Sequence, residues 1–492
     1  MRALCLDAGT SLVKAVVFDD DGEAVATAHR PTGVARPQPG FAEQDMVEVW
    51  EAAAATMRDA AQAAGGGIEV IAVTAQGDGC WLVDAAGRPV GPAPLWCDGR
   101  SADAVRRWMD DGTVERAFAI TGSTTFAGLP NAILSWLREQ RPADLERAAA
   151  ALTCGGWLLH QLTGEVAMDI SDASAPWLDA RTMRYAPQVL ELFDLPWAQR
   201  LLPAVRTCAD SVAELTPSAA AAIGVAAGTP VVMAPYDIAA TAIGSGATAP
   251  GAACSILGTT LCTEVLVDTV DTSGPPSGFT IALGVGELRL RAHPTLAGTE
   301  ILHWAARLLN ADGPERIPEL AARARPGAGG VVMLPYFSPA GERAPFLAPD
   351  ARGTLHGMTV EHGPEHLARA VLESLSHVVR DCLEAAPARP AELALCGGGA
   401  ASDVWCQLIA DVTGVPVTRA ADREVGAKGA MVMAALATGA QPSLPEAAAR
   451  LVRPGQPFAP AAELRDFYDD QHVRFLEIRA ANAPAWQRLA AA

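Results

Sequence analysis

Lysine is almost absent from this 492-residue chain: of 37 basic residues only Lys14 and Lys428 are lysines, and arginine supplies the rest. Cations are outnumbered by 56 acidic residues, for a formal net charge of −19. A surface that acidic excludes broad docking on nucleic acid or an anionic membrane, which both demand clustered positive charge. It does not exclude a bound phosphate, because phosphate sites are local and often built from backbone N–H groups. Long apolar runs are missing too, and nothing reaches the ~18 residues that a membrane span needs. The first residues meet an acid at Asp7, too early for a secretory apolar core. The ten cysteines form no C-x-x-C pair and no Cys/His cluster with zinc spacing. They read as small buried hydrophobes in a reducing compartment, and the expected location is cytoplasmic.

What is present is an α/β pattern that occurs twice. Leu4–Asp7 and Val13–Asp19 are short apolar runs around a Gly9-Thr10-Ser11 turn, which predicts a β-hairpin. A third strand follows at Ala24–His29, a helix over Gln44–Ala64 and a buried strand at Val70–Thr74. Past residue 250 the layout returns, with strands at Ala253–Leu257 and Leu261–Val267 around Gly258-Thr259-Thr260. Strands at Thr280–Leu283 and Leu288–Ala292, a helix at Thr299–Leu309, a strand at Leu393–Cys396 and a helix at Ser402–Thr413 complete it. Such duplication predicts two like domains with a cleft between them and a hinge over Ala234–Pro250. The expected division is 1–243, 244–445 and a helical extension over 446–492.

Four constellations carry chemistry. In Asp7-Ala8-Gly9-Thr10-Ser11, with Lys14 beyond, a glycine turn offers N–H and hydroxyl donors to a phosphate. Asp7 there suits a metal ion and Lys14 a phosphate charge; a plain structural hairpin is the alternative. Gly258-Thr259-Thr260 repeats the device in the second half. Gly397-Gly398-Gly399, between strand and helix, lets a nucleoside approach the backbone, or simply makes a tight turn. Asp237, after the apolar strand Pro230–Ala234, is placed either to accept a hydroxyl proton or to cap a helix.

Taken together, these motifs resemble the ATPase set of the sugar kinase/actin/Hsp70 fold. Two further stretches narrow the likeness. Gly353-Thr354-Leu355-His356-Gly357-Met358, with His366–Glu373 seven residues on, fits the C-terminal signature of FGGY carbohydrate kinases. Gly128–Gln140 resembles their other signature, with Ile133 where the family usually has lysine. Leu334-Pro335-Tyr336, Gly341–Pro345 and Asp350–Gly353 are also similar to that family.

The resemblance implies two RNase H-like domains around a cleft. It also implies ATP-dependent phosphorylation of a terminal hydroxyl of a small sugar or polyol, with Mg²⁺. It assigns Asp237 as catalytic base and Asp7 to the metal. Gly9, Thr10, Lys14, Gly258, Thr259 and Thr260 go to the phosphates, and Gly398 and Gly399 to the nucleoside side. The implied substrate pocket comprises Gln76, Gly77, Asp78, Trp96, Asp98 and Arg100. Asp78 is the leading specificity residue, since a carboxylate accepts two sugar hydroxyls; a turn aspartate before Gly79 is the alternative. Asp98 and Arg100 equally suit an ion pair that shapes the pocket. Gln76-Gly77-Asp78-Gly79 is similar to erythritol kinases, whereas xylulose kinases carry Met-His in place of Gly77-Asp78. Asp169–Ser174 resembles pentulose kinases, so a tetritol and a pentulose both stay open. Gly155 and Gly156 replace polar side chains common among relatives. Lys428 is placed near the nucleotide or exposed at a helix end. A small-molecule partner is expected, with no nucleic acid and no membrane, and a homodimer is allowed. A non-kinase ATPase and a sugar-sensing regulator share this fold; the near-complete signature and the Gln76–Trp81 stretch speak against the first, and the intact Asp7, Asp237 and hydroxyl turns against the second.

Overall fold

The computed structural model describes residues 1–490. The chain forms two compact units, and neither is continuous in sequence. The first comprises Met1–Thr248, Asp268–Leu290 and Glu424–Arg453, and the second Ala249–Val267, Arg291–Arg423 and the chain from Pro454.

The first unit is built on a sheet in the order Ala213–Glu214, Pro230–Met233, Val70–Ala75, Ala3–Ala8, Leu12–Phe18, Ala24–Pro31. The opening hairpin is antiparallel, and Ala3–Ala8 runs parallel to Val70–Ala75. Side-chain alternation in these strands sorts the two faces. Leu4, Leu6, Val13, Val17, Ile71 and Val73 pack in one buried cluster with Met57 and Leu158, beneath helices Met46–Ala63 and Cys154–Thr163. Ala3, Cys5, Val16, Phe18, Ala72 and Val232 pack in another with Ile243, Ala427, Ala430 and Met431. Those last residues belong to helices Asp237–Gly244 and Val425–Ala437. Asp7 continues the face of Ala3 and Cys5, so the strand aims its carboxylate toward those two helices rather than into the opposite layer.

The second unit repeats the order. Arg289–Pro294, Leu261–Val267, Ala253–Leu257, Leu393–Cys396, Val417–Arg419 and Gln456–Phe458 are successive neighbours. Again the hairpin is antiparallel and the next two strands are parallel. Helices Pro364–Glu384 and Asp403–Thr413 contribute Leu372, Leu375, Trp405 and Ile409 to its core. The final helix, Arg465–Ala490, adds Tyr468, Phe475 and Trp486 to that core. Tyr468 donates its hydroxyl to Glu373 at 2.9 Å.

The expected helix over Gln44–Ala64 lies at Met46–Ala63, where Asp45 caps it by accepting from the N–H groups of Val47 and Glu48. All ten cysteines are free, and nine are buried. Lys428 is corrected: it lies in the first turn of its helix but is not exposed. It is fully buried (0% exposed), donates to the carbonyls of Gly22 and Leu451, and lies 4.7 Å from the Phe18 ring centre. Its charge fastens the turn after Leu12–Phe18 to the end of helix Leu444–Leu451. Among the described residues no helix is long and apolar enough to cross a membrane.

Candidate active site

Helices Asp237–Gly244 and Val425–Ala437 meet more closely than ordinary side chains allow. A Cβ on Gly429 would lie 1.8 Å from the Ala240 carbonyl oxygen, and one on Gly244 would lie 2.0 Å from that of Val425. This crossing puts Gly426, in the first turn of the second helix, against Asp7. A Cβ there would stand 2.9 Å from Asp7 Oδ2. Asp7 therefore faces the N-terminal turn of a helix, where negative charge is favoured. Lys14 is opposite Asp7 in the hairpin register, and its Nζ lies 2.9 Å from Glu424. Burial pushes the Asp7 carboxyl up to about 6; Lys14 opposes that shift and Glu424 adds to it.

Asp237 opens its helix rather than capping it, since Tyr236 takes the cap position. Its carboxylate accepts the Ile238 N–H at 2.8 Å. The segment before it is held from two sides. Thr74 donates to the Pro235 carbonyl at 2.7 Å, and the Tyr236 N–H donates to Ser171 Oγ at 3.0 Å. The Asp237 carboxyl is pushed up to about 8, first by burial and then by the charges of Asp7 and Asp78, against the Ile238 N–H.

The turn after Val70–Ala75 carries the implied substrate residues. Asp78 has φ 56°, a left-handed conformation uncommon outside glycine, and Gly79 follows at φ 72°. A Cβ on Gly79 would stand 2.7 Å from the Pro94 carbonyl, so the turn needs glycine there. Gln76 is locked in a polar ring. Thr10 donates to Gln76 Oε1 at 2.7 Å, Gln76 donates to Gln44 Oε1 at 2.7 Å, and Gln44 donates to the Thr10 carbonyl at 2.9 Å. Trp96 also donates to Thr10 Oγ1, at 2.9 Å. The Thr10 hydroxyl proton thus serves Gln76, and any donor to a phosphate from this residue is its backbone N–H. Asp98 and Arg100 form the ion pair that the alternative reading anticipated. Their side chains are fully enclosed, with Arg100 Nε 2.8 Å from Asp98 and its terminal nitrogen 2.8 Å from Glu43. Asp98 also accepts the Ala42 N–H at 2.6 Å, and the guanidinium covers the Phe41 ring at 4.2 Å. The pair braces the Trp96 loop.

In the second unit, the Gly258-Thr259-Thr260 turn receives N–H donors from Thr299 (2.9 Å, to Gly258) and Glu300 (3.4 Å, to Thr259). Gly298 lies tight against it, since a Cβ there would be 2.3 Å from the Thr259 carbonyl. Gly397 has φ 84° and Gly399 packs on Trp405, but a Cβ on Gly398 would meet nothing within 4 Å. Of the three glycines only Gly398 presents open backbone.

The structure also brings in residues that motif reading gave no individual role, among them Asp172 of the Asp169–Ser174 stretch. Asp172 is 5% exposed, and its carboxyl is pushed well above the usual range by burial and by Asp169, with Asp78 and Asp237 adding to the effect. Gly155 leaves it room: a Cβ there would be 3.6 Å from Asp172 Oδ2. Gln44 and Glu424 were missed because their partners are distant in sequence. Four carboxyls, Asp7, Asp78, Asp172 and Asp237, thus act on one another electrostatically in one unit.

Two units of one strand order, with paired acids in the first and glycine–hydroxyl turns in both, define a phosphotransferase of the sugar kinase/actin/Hsp70 fold. The N-terminal domain of the FGGY family of carbohydrate kinases matches residues 2–244, and its C-terminal domain matches 252–438. The chain is 35% identical to an erythritol kinase of Brucella abortus (strain 2308), over 99% of this chain and 97% of that one. It is 31% identical to a xylulose kinase of Escherichia coli (strain K12), over 90% and 91%. The crystal structure of a ligand-bound xylulose kinase from Lactobacillus acidophilus shares the fold with a TM-score of 0.93 at 22% identity, covering 99% of each chain. The chain belongs to the FGGY family of carbohydrate kinases. It is an enzyme that phosphorylates a sugar or polyol, and kinases of this family use ATP with a divalent metal.

Proposed function

We propose that this kinase transfers the terminal phosphoryl group of ATP to a primary hydroxyl of a four-carbon polyol of the erythritol type, with Asp237 as general base. The observation that carries the reading is the raised Asp237 carboxyl, set among Asp7, Asp78 and Asp172 in the first unit. A base with an affinity for protons near neutrality is matched to accepting a hydroxyl proton as the phosphoryl group is transferred. Asp78 and Asp172 are acceptors for the remaining hydroxyls of the polyol. Gln76, fixed by Thr10 and Gln44, presents an amide to the same region. The backbone N–H groups of the Gly9–Thr10 and Gly258–Thr260 turns are the donors to the phosphates, with Gly398 on the nucleoside side and Gly399 packed behind it on Trp405.

Asp7 fits a divalent cation. Burial and Glu424 raise its proton affinity, and a bound Mg²⁺ would relieve that strain. Among the described residues no group of three or more His, Cys, Asp or Glu forms a ligand cluster. Mg²⁺ would therefore rest on Asp7 and take its other ligands from water and phosphate, supplying charge neutralisation. Lys14 pairs with Glu424 and also acts directly on Asp7 through its charge.

The Gln76–Gly79 turn and the relative at 35% identity favour a tetritol. The second reading, a pentulose, draws on Asp169–Ser174. In the structure Ser171 and Ser174 spend their hydroxyls on Asp169 and the Ile170 carbonyl, which leaves Asp172 as the group that stretch offers. A coupled ADP-release assay over four- to six-carbon ketoses and alditols tests the choice. The tetritol is expected to give the highest kcat/KM; a preference for xylulose overturns it. The cysteine usage supports a cytoplasmic enzyme, and size-exclusion measurements would decide between monomer and homodimer.

A further inference from the structure

The Tyr236 ring lies where a side chain on Gly77 would have to go. A Cβ at Gly77 would stand 2.4 Å from Tyr236 Cδ2 and 2.7 Å from Cε2, well inside contact distance. The ring is almost enclosed, at 9% exposure. Its backbone is fixed on both sides, by Thr74 on Pro235 and by Ser171 on the Tyr236 N–H. Ser171 is itself tied to Asp169. The backbone that carries the ring is therefore held in place. The ring packs on the turn at Gly77, which Gln76 and Asp78 flank in the chain, and Asp237 is the next residue after Tyr236. These are the groups that the proposed function assigns to the acceptor.

We propose that Tyr236 sets the length of the acceptor: its ring closes the pocket over Gly77, so that a polyol one carbon longer than the preferred substrate meets aromatic carbon instead of space. The inference rests on the reading of Asp78 and Asp237 as acceptor-binding groups. It does not depend on which acceptor is preferred. Size discrimination of this kind is worth roughly 10–200-fold per carbon in a packed pocket.

The test compares wild type with Tyr236→Ala, Tyr236→Leu and Tyr236→Phe, using the preferred acceptor and its next longer homologue. The readout is the ratio of their kcat/KM values. The alanine variant is expected to raise the ratio for the longer acceptor by about tenfold or more, chiefly through KM. The phenylalanine variant, which keeps the ring, is expected to hold it within about twofold. The inference is overturned if alanine lowers both acceptors alike, since that marks a structural role, or if phenylalanine shifts the ratio as far as alanine, since the hydroxyl would then be the discriminator. The leucine variant retains apolar burial beneath the ring's position, so it carries the same comparison if the alanine variant does not fold. Wild-type selectivity alone decides whether the acceptor is a tetritol, so failure of that reading and failure of the Tyr236 assignment give different results.

Discussion

At the residue scale the site is a set of acids held under electrostatic tension. Asp237 is pushed up to about 8 by burial, Asp7 and Asp78, although it must be ionised to take a proton. With little divalent cation present, log kcat/KM should therefore fall as pH drops below about 8. Raising Mg²⁺ should move that limb to lower pH, because a cation near Asp7 favours the ionised form of its neighbours. A limb insensitive to Mg²⁺ would separate Asp237 from the metal. Asp237→Asn removes the proposed base and keeps the shape. Turnover should fall about 10²–10⁴-fold, while the melting temperature holds near neutral pH and rises above about pH 8, where the buried carboxylate would otherwise be charged. Arg100 argues the opposite case. Its side chain is fully enclosed between Asp98 and Glu43. Arg100→Ala leaves two carboxylates uncompensated, and chemical denaturation should show a loss of about 3–5 kcal/mol.

At the scale of elements, the decisive contact is the crossing of Asp237–Gly244 with Val425–Ala437. It needs glycine at both 244 and 429, because carbonyl oxygens occupy the places of their Cβ atoms. Gly429→Ala must push the helices apart. That should cost about 1–3 kcal/mol of stability in urea unfolding and also lower kcat, since the helix it presses against carries Asp237. A variant that loses stability but keeps full kcat would uncouple the crossing from the base. This crossing also shows where sequence reading stops. The strands Ala253–Leu257, Leu261–Val267 and Leu393–Cys396 were legible to the residue, because alternation and a glycine turn are local signals. Asp237 and Asp7 were legible as motif positions at strand ends. The tie of Thr10 to Gln76 and Trp96 was not, nor the burial of Lys428, nor the nearness of Asp172 to Asp237. Each joins segments remote in the chain, and no local period encodes a partner dozens to hundreds of residues away.

At the scale of the whole molecule, the buried acids leave a signature in how stability depends on pH. Carboxyls raised in the folded state hold protons that the unfolded chain has already released. Asp169 and Glu342 are pushed up to about 7 and Asp237 to about 8, each mainly by burial. Unfolded carboxyls titrate near 4, so between pH 6.5 and 8.5 the folded protein binds more protons than the unfolded one. The slope of unfolding free energy with pH is then negative, and stability falls as pH rises through the folded values. The buried histidines act with the opposite sign at lower pH. His472 is lowered to about 4, mainly by burial, and His377 and His293 lie well below the usual value. They favour the folded state increasingly as pH rises through 6.5, and their opposing slope fades about one unit above it. Without metal or nucleotide, the melting temperature should therefore fall from pH 6.5 to 8.5. The drop should shrink in Asp237→Asn, which removes one of the titrating groups, and on adding Mg²⁺ with ATP, which offsets the charge on Asp7 and its neighbours. Thermal unfolding in a chelating buffer at three pH values measures this directly. A melting temperature that rises across the interval would mean that these carboxyls are already ionised in the folded protein, and with that the electrostatic tension assigned to the site would be gone.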